Sequence, residues 1–161
     1  MTDDKLDRLN DASAYQRCFA CGARNGSGLK LRFTEDDGVI RAEFTADERY
    51  QGFPGVVHGG ILATLLDETL SRTATLEGRW MMTGRLDIRY RSAAPIGQPL
   101  LITAPTVASR SRMVTATGSV CLLENPEAVF ATAEGVFLPI PEQYQRDMTE
   151  RHPELTGFFD I

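Results

Sequence analysis

The segment VHGGILATLLDE, residues 57–68, places a histidine and two glycines at the start of a predicted helix and two acids two turns later. Glycines at a helix start allow a ligand to approach the backbone closely, and they leave N–H groups pointing outward. Together with the helix dipole, such N–H groups suit an oxyanion that develops during a reaction. Asp67 lies among leucines, where a carboxylate is unexpected, and Glu68 is the competing acid on an adjacent face. The segment is therefore the first candidate for a chemical site.

The helix that carries these residues is predicted to run from about Gly60 to Leu76. Its apolar residues recur with the 3.6-residue period of a helix. They are Ile61, Leu62, Leu65, Leu66 and Leu70. Gly60 and Asp67 lie on nearly the same face of the helix, and this face is not the leucine face. Small residues continue that second face, at Ala63, Thr64, Ser71 and Ala74. This stripe of small residues lets another surface, or a slim ligand, come close to the helix.

Strand patterns lie on both sides of the helix. Residues 28–35 (GLKLRFTE) and 39–45 (VIRAEFT) alternate apolar and polar positions around the turn sequence DDG, which predicts a hairpin. The later strand patterns lie at 80–92, at 98–123 with a break near 109–112, and at 128–138. One apolar helix cannot cover both faces of an antiparallel sheet, but a curved sheet can wrap around it. The fold class is therefore predicted as α+β, a curved antiparallel sheet around one long central helix.

The chain of 161 residues fits a single domain. Residues 1–27 are predicted to be an N-terminal extension, with a short polar helix over 3–16 followed by a loop. Residues 28–138 form the core, with a turn at 124–127, and residues 139–161 form a loosely attached polar tail. The free edge of the sheet must be covered or paired, which favours a dimer with a continuous sheet.

The composition argues against several classes of partner. The net charge of −5 disfavours nucleic acid, because phosphate binding requires a basic field. No apolar run approaches the roughly 20 residues that cross a bilayer. The charged N-terminus, MTDDKLDRLN, is not a secretory signal. Three cysteines, an odd number in a chain without an export signal, predict a reducing cytoplasm and no disulfide framework.

The stretch GFPGVVHGGILATLLDE, followed by Thr83 and by LDIRYRSAAPIGQPL, resembles the hotdog-fold acyl-CoA thioesterases. The resemblance covers roughly residues 28–138 and is strongest for the phenylacetate-degradation-type branch, whose opening is similar to CFACG and GLKL here. It implies the hotdog fold and hydrolysis of an acyl-CoA substrate to a free acid and coenzyme A. It further implies that no metal or prosthetic group is needed, and that the chain forms a homodimer or homotetramer with active sites at the subunit interface.

The resemblance also implies roles for individual residues. Asp67 acts as general base or as nucleophile, two descriptions between which the sequence does not choose. The amide of Gly59 polarises the substrate carbonyl, and Gly60 supports the turn. The hydroxyl of Thr83 holds the water or the carboxylate, and His58 braces the turn. Asp67 and Thr83 would face the glycine turn of the other subunit, so the site would exist only in the oligomer.

Coenzyme A requires partners for its phosphorylated nucleotide. The resemblance places these on the strand that contains Thr83 and on the following hairpin. The matching residues are Tyr90, Arg91, Ser92, Arg110, Ser111 and Arg112. Arginine suits phosphate because its guanidinium forms forked, charge-assisted hydrogen bonds. The arginines at 110–112 could equally be the solvated tip of a hairpin.

The sequence departs from the family pattern in the loop before the histidine. Many relatives carry an Asn or Gln where this chain has Gly52, and Gln51 is the neighbouring residue that could reach the same place. A weaker carbonyl contact would allow a second hypothesis, a non-catalytic protein that binds acyl-CoA or aromatic ligands. A third hypothesis is an enoyl-CoA hydratase-type hotdog enzyme, although that chemistry usually accompanies a different arrangement of Asp and His.

Each candidate residue also has a purely structural interpretation. Asp67 could be an exposed helix acid or part of an ion pair, and Thr83 could be present for its strand propensity. For His58 we favour a helix cap or a loop-fixing hydrogen bond over proton transfer. For Cys18 and Cys21, a CxxC pair, we favour a buried structural pair over a zinc site, which only Cys121 and His152 could complete, and over a redox pair. The apolar residues that line the pocket, or belong to the core, are Phe53, Trp80, Met81 and Met82.

Overall fold

The computed structural model describes residues 16–76, 80–105 and 112–156, together with residues 6, 10 and 11. Its strands are β1 (Phe33–Asp36), β2 (Val39–Thr45), β3 (Met81–Tyr90), β4 (Pro99–Pro105), β5 (Val114–Leu122) and β6 (Asn125–Pro139). Helix α1 (Gly59–Leu76) lies between β2 and β3, and helix α2 (Glu142–Arg151) follows β6. Single-turn 3-10 helices occur at Glu48–Tyr50 and Pro153–Leu155.

The six strands form one antiparallel sheet in the order β1-β2-β4-β5-β6-β3. The predicted hairpin is present, and Asp37 and Gly38 close it with positive φ angles of 50° and 72°. Two consecutive positive φ angles are those of a type I′ turn, which matches the twist of the two strands. Asp followed by Gly is the sequence that this turn prefers, so the turn residues explain the hairpin.

Helix α1 packs its leucine face onto one face of the sheet. Leu62, Leu65, Leu66 and Leu70 are buried there. A Cβ atom on Gly118 of β5 would lie 2.5 Å from Leu70 Cδ1, so the helix approaches the sheet closely at a place where only glycine fits. The helix face that carries Asp67 remains partly exposed. The predicted α+β architecture, one sheet around one central helix, is therefore confirmed.

The first strand begins later than the alternation of residues 28–35 predicts. Lys30 has a positive φ of 56°, which breaks the extended backbone. The N–H groups of Leu29 and Leu31 instead donate to Phe19 O and Ala20 O in the preceding loop. Both leucines are buried, so the alternation identified the correct inward face. The assignment of these residues to a strand was wrong because their hydrogen-bond partner is a loop.

Two predictions near the C-terminus need correction. The turn predicted at 124–127 is a two-residue turn at residues 123–124, because β6 already begins at Asn125. The predicted tail contains helix α2, in which no residue is buried. A helix that is polar on every side has no apolar stripe to reveal it. At the other end, residues 6, 10 and 11 of the predicted N-terminal helix are helical, and the remaining residues of 3–15 lie outside the described residues.

Strand β3 is an edge of the sheet. It pairs with β6 on one side, and within the described residues no strand pairs with its other side. The register shifts between Thr83 and Arg85, which marks a bulge. Thr83 and Tyr90 pair with the buried residues Phe137 and Ala131, so their side chains lie on the helix side of the sheet.

None of the helices in the described ranges is long and apolar enough to span a membrane.

Candidate active site

Asp67 and Thr83 are joined by a side-chain hydrogen bond between α1 and β3. Thr83 Oγ1 donates to Asp67 Oδ1 over 2.7 Å. Burial raises the pKa of Asp67 above its ordinary value; the Thr83 hydrogen bond lowers it, and the negative charge of Glu68 raises it. Asp67 is nevertheless half-exposed on the open side of the helix. The carboxylate is therefore oriented, electrostatically perturbed and accessible to a reactant.

Glu68, the competing acid, belongs to a different environment. Its Oε1 atom accepts a hydrogen bond of 2.6 Å from Arg72 Nη2, one helical turn further on. Arg72 is buried, with only 2% of its surface exposed, and its guanidinium lies 4.8 Å from the centre of the Phe33 ring. Glu68 thus neutralises a buried cation. This structural role separates it from Asp67, whose partner is a neutral hydroxyl.

The glycine turn begins α1. His58 O accepts hydrogen bonds from Ile61 N and Leu62 N, and His58 Nδ1 accepts one of 2.9 Å from Gly60 N. His58 is therefore the N-cap of the helix. The Gly59 N–H is different, because none of the described residues accepts a hydrogen bond from it. Gly60 and His58 secure the turn, and the Gly59 N–H is left for another acceptor.

Tyr90 fixes the other side of the same turn. Its hydroxyl donates a hydrogen bond of 2.8 Å to Gly59 O. A Cβ atom on Gly59 would lie 3.4 Å from the Tyr90 ring, which is ordinary van der Waals contact. Tyr90, a predicted coenzyme A residue, is therefore held against the predicted oxyanion donor.

The glycine turn and Asp67 are far apart within one chain. Gly59 and Asp67 are separated by eight residues of α1, so they are about 12 Å apart along the helix axis. Reacting groups must lie roughly 3 Å from a common carbonyl group. One chain therefore offers an oxyanion donor and a carboxylate that cannot serve the same carbonyl.

The loop before His58 has little room for a longer side chain at residue 52. A Cβ atom on Gly52 would lie 3.3 Å from His58 Cδ2. The neighbouring Gln51 is exposed, and its Oε1 atom accepts a hydrogen bond of 3.2 Å from Gly55 N. The amide of Gln51 is thus anchored to its own loop through its oxygen.

The predicted coenzyme A residues do not converge within one chain. Arg91 follows Tyr90 but lines a groove on the other face of the sheet, and the Ser92 hydroxyl donates to Val129 O over 3.2 Å. Arg112 is exposed just before β5, near the opposite end of the sheet. Arg110 and Ser111 lie outside the described residues.

Comparison with known proteins relates part of the chain to a known family. The family model of the thioesterase superfamily matches residues 54–128, a segment that includes the glycine turn, Asp67 and Thr83. By this match, residues 54–128 are similar to thioesterase-superfamily domains. The resemblance to the hotdog thioesterases drawn from the sequence is confirmed.

Several known proteins are similar to this chain in sequence or in shape. Over 95 residues the chain is 33% identical to acyl-coenzyme A thioesterase THEM5 of Mus musculus, a match that covers 59% of this chain and 38% of that protein. The chain therefore spans well under half of this relative. A thioesterase superfamily protein of known crystal structure is 30% identical, with a TM-score of 0.70, and the match covers 76% of this chain and 60% of that one. The E. coli PaaI protein from the phenylacetic acid degradation operon superimposes with a TM-score of 0.68 at 17% identity, covering 85% of this chain and 96% of PaaI.

A large groove in the structure is not next to Asp67. Its volume is about 900 Å³, and it lies across β3 to β6 on the face opposite α1. Charged and hydroxyl side chains line it, among them Asp87, Arg89, Thr132 and Glu134. Of the predicted pocket residues, Phe53 and Met82 are strongly exposed, at 83% and 44%, whereas Met81 packs partly against the core. Trp80 is half-buried.

The sequence interpretation missed the surroundings of the CxxC pair. Cys18 and Cys21 lie beside Glu68, with possible ligand atoms within 4.8 Å of one another. Cys121 lies on β5, where its thiol donates to Leu101 O over 3.6 Å. His152 lies beside Glu154, with 3.6 Å between Nδ1 and Oε1. The residues expected to complete a zinc site are therefore elsewhere. The spacing of Glu68 and Arg72 by one helical turn was the signal in the sequence that could have predicted their ion pair.

Proposed function

We propose that this chain hydrolyses acyl-CoA thioesters to a free acid and coenzyme A, in sites formed by two copies of the chain. The observation that carries the proposal is the hydrogen bond from Thr83 to Asp67, a carboxylate with a raised pKa on the open side of the helix. Perturbed and accessible carboxylates are typical of catalytic sites. The match to the thioesterase superfamily and the acyl-coenzyme A thioesterase relative support this choice of reaction.

The two-copy site follows from the separation of the glycine turn from Asp67. The free edge of β3 can pair with the same edge of a second chain in antiparallel fashion. With a twofold axis between Leu86 and Asp87, Thr83 of one chain lies opposite the partner's Tyr90. Because the Tyr90 hydroxyl is hydrogen-bonded to Gly59 O, this pairing brings the partner's glycine turn towards Asp67. It also brings the end of the sheet that carries Arg112 towards the partner's Tyr90, so the proposed coenzyme A residues come from both chains.

The proposed reaction uses two groups, the Asp67 carboxylate of one chain and the Gly59 N–H of the other. The ionised carboxylate of Asp67 either removes a proton from water, which attacks the thioester carbonyl, or attacks that carbon directly. The carbonyl oxygen becomes an oxyanion, which accepts a hydrogen bond from the partner's Gly59 N–H. Collapse of the tetrahedral intermediate breaks the C–S bond and releases coenzyme A as a thiolate, which takes up a proton. With water as the nucleophile the free acid forms in this step; with Asp67 as the nucleophile, water then hydrolyses the acyl–Asp67 anhydride to the free acid. The reaction written this way requires no metal ion or prosthetic group.

A thiol-release assay tests the proposal. Short, medium, long and aromatic acyl-CoA esters are offered to the wild type, to Asp67→Asn and to Glu68→Gln. We expect Asp67→Asn to retain ester binding but to lose about 100-fold or more of its turnover. Glu68→Gln is the control on the same helix; it weakens the ion pair with Arg72 but leaves Asp67 in place, so its turnover per folded molecule should be mostly retained. Near-wild-type turnover in Asp67→Asn would overturn the assignment.

The loop at residues 51–52 favours a second candidate, a non-catalytic binding protein. Gly52 offers no side-chain amide to the substrate carbonyl, and Gln51 is tied to its own loop through the bond from Gly55 N to its amide oxygen. This candidate predicts that acyl-CoA esters bind by calorimetry but release no thiol. The same ester panel therefore separates the two candidates.

A further inference from the structure

A thiol pair lies against the buried side of the helix that carries Asp67. Cys18 and Cys21 lie in one turn, which the Gly22 N–H closes on Cys18 O over 3.0 Å. Cys18 is half-exposed and Cys21 is buried. The two sulfur atoms lie within 4.8 Å of one another and share a hydrogen bond. A disulfide between them requires the two sulfur atoms to approach from this separation to about 2.05 Å.

The charged groups around the pair argue against a metal ion. Arg72 Nη2 lies 3.2 Å from Cys21 Sγ, and the same atom holds Glu68 Oε1 at 2.6 Å. Glu68 is the third possible ligand of a metal, but a cation bound there would sit beside the buried guanidinium. Arg72 already supplies the positive charge that this cluster of sulfur and carboxylate groups requires.

We propose that Cys18 and Cys21 are a redox-active dithiol that closes to an intramolecular disulfide, with Cys18 as the attacking thiol. Cys18 is the more accessible sulfur, and Cys21 lies behind it as the resolving thiol. The hydrogen bond from Cys21 lowers the pKa of Cys18 to about 6, while burial and the Glu68 charge oppose this. The same hydrogen bond, together with burial, raises the pKa of Cys21. An accessible thiolate in front of a protonated partner is the arrangement of reactive CxxC pairs.

The oxidant is a low-molecular-weight disulfide such as oxidised glutathione. The Cys18 thiolate attacks one of its sulfurs, forming a mixed disulfide and releasing one glutathione thiolate. The Cys21 sulfur, after losing its proton, attacks Cys18 Sγ and expels the second glutathione. Two electrons pass from the chain to glutathione, and the protons of the two thiols pass to the two released thiols.

The test equilibrates the full-length chain in buffers of increasing oxidised-to-reduced glutathione, followed by acid quenching, alkylation of free thiols and mass analysis. We expect the wild type and the control Cys121→Ser to lose two hydrogen atoms and to carry a disulfide between Cys18 and Cys21. Cys21→Ser should trap one glutathione on Cys18, whereas Cys18→Ser should leave Cys21 unmodified. In the reduced wild type, an alkylating agent should modify Cys18 at least about tenfold faster than Cys121 at neutral pH.

Two outcomes would overturn the proposal. One is a wild-type chain in which all three thiols remain alkylatable in the most oxidising buffer. The other is a stoichiometric zinc ion in the purified protein that is lost in both Cys18→Ser and Cys21→Ser. Because the primary readout uses the wild type, a variant that fails to fold does not prevent the decision.

Discussion

The hydroxyl of Thr83 donates a 2.7 Å hydrogen bond to Asp67 and thereby ties the central helix to the free edge of the sheet. One atom pair joins the element that carries the carboxylate to the element that is open to a second chain. Any movement of the edge strand is therefore transmitted directly to the proposed catalytic group.

The pH profile of turnover should respond to the Thr83 hydrogen bond. That bond favours the ionised carboxylate, so it lowers the pKa of Asp67 against the effect of burial. Since the proposed reaction needs the ionised form, turnover should fall as pH falls through the pKa of Asp67. In Thr83→Val, which removes the donor at constant shape, the acid limb should move to higher pH. Thr83→Ser keeps the donor and should keep the wild-type profile; identical profiles in all three would contradict the role of this bond.

The folding stability should also depend on pH through Asp67, but in the opposite direction to turnover. Burial raises the pKa of Asp67 in the folded state above that in the unfolded state. The folded state then holds its proton more tightly, and stability decreases as pH rises through the folded pKa. Asp67→Asn removes this titration, so it should unfold at higher urea concentration than the wild type at neutral pH. The difference should disappear in acid; a variant that is less stable at neutral pH would count against a desolvated carboxylate.

Gly59 allows the oxyanion donor to be removed without removing the helix. Proline is favoured at the first position of a helix and has no N–H, so Gly59→Pro deletes only the proposed donor. Loss of one such donor costs about 100-fold to 1000-fold in turnover. Gly59→Ala keeps the N–H, and its Cβ fits against the Tyr90 ring. We expect the alanine variant to remain active and the proline variant to lose turnover while keeping a native circular dichroism spectrum.

Complementation between two inactive variants tests whether each site uses two chains. In a heterodimer of Asp67→Asn with Gly59→Pro, one site carries both defects and the other carries neither. Random mixing of equal amounts by denaturation and refolding should therefore restore about one quarter of the wild-type turnover. If each site lay within one chain, every site in the mixture would carry a defect and no turnover would return. Refolding of each variant alone is the control.

The sequence predicted the architecture where a pattern had a single physical cause. The leucine period of α1 and the Asp-Gly turn of the hairpin are local signals, and both appear as predicted. The break at Lys30 was not predictable from alternation, because it depends on hydrogen bonds to a distant loop. Helix α2 escaped detection because none of its residues is buried.

The site was predictable as residue types but not as an arrangement. The family pattern named Asp67 and Thr83 as candidates, and the structure places them in contact. The bond from Tyr90 to Gly59 joins residues 31 positions apart, a relation that no local spacing reveals. The role of Glu68 depended likewise on Arg72 and on a cysteine from the N-terminal loop.

The free edge of β3 has a consequence for aggregation as well as for the proposed catalysis. An unpaired strand with its backbone groups exposed is a template for runaway aggregation. The bulge at Thr83 and Arg85 distorts this edge, and the ion pair of Arg85 with Asp87, 2.9 Å long, places charges on the face away from the helix. Both features penalise the addition of a flat, uncharged strand. The edge proposed to pair with a second copy is thus also built to discourage fibrils.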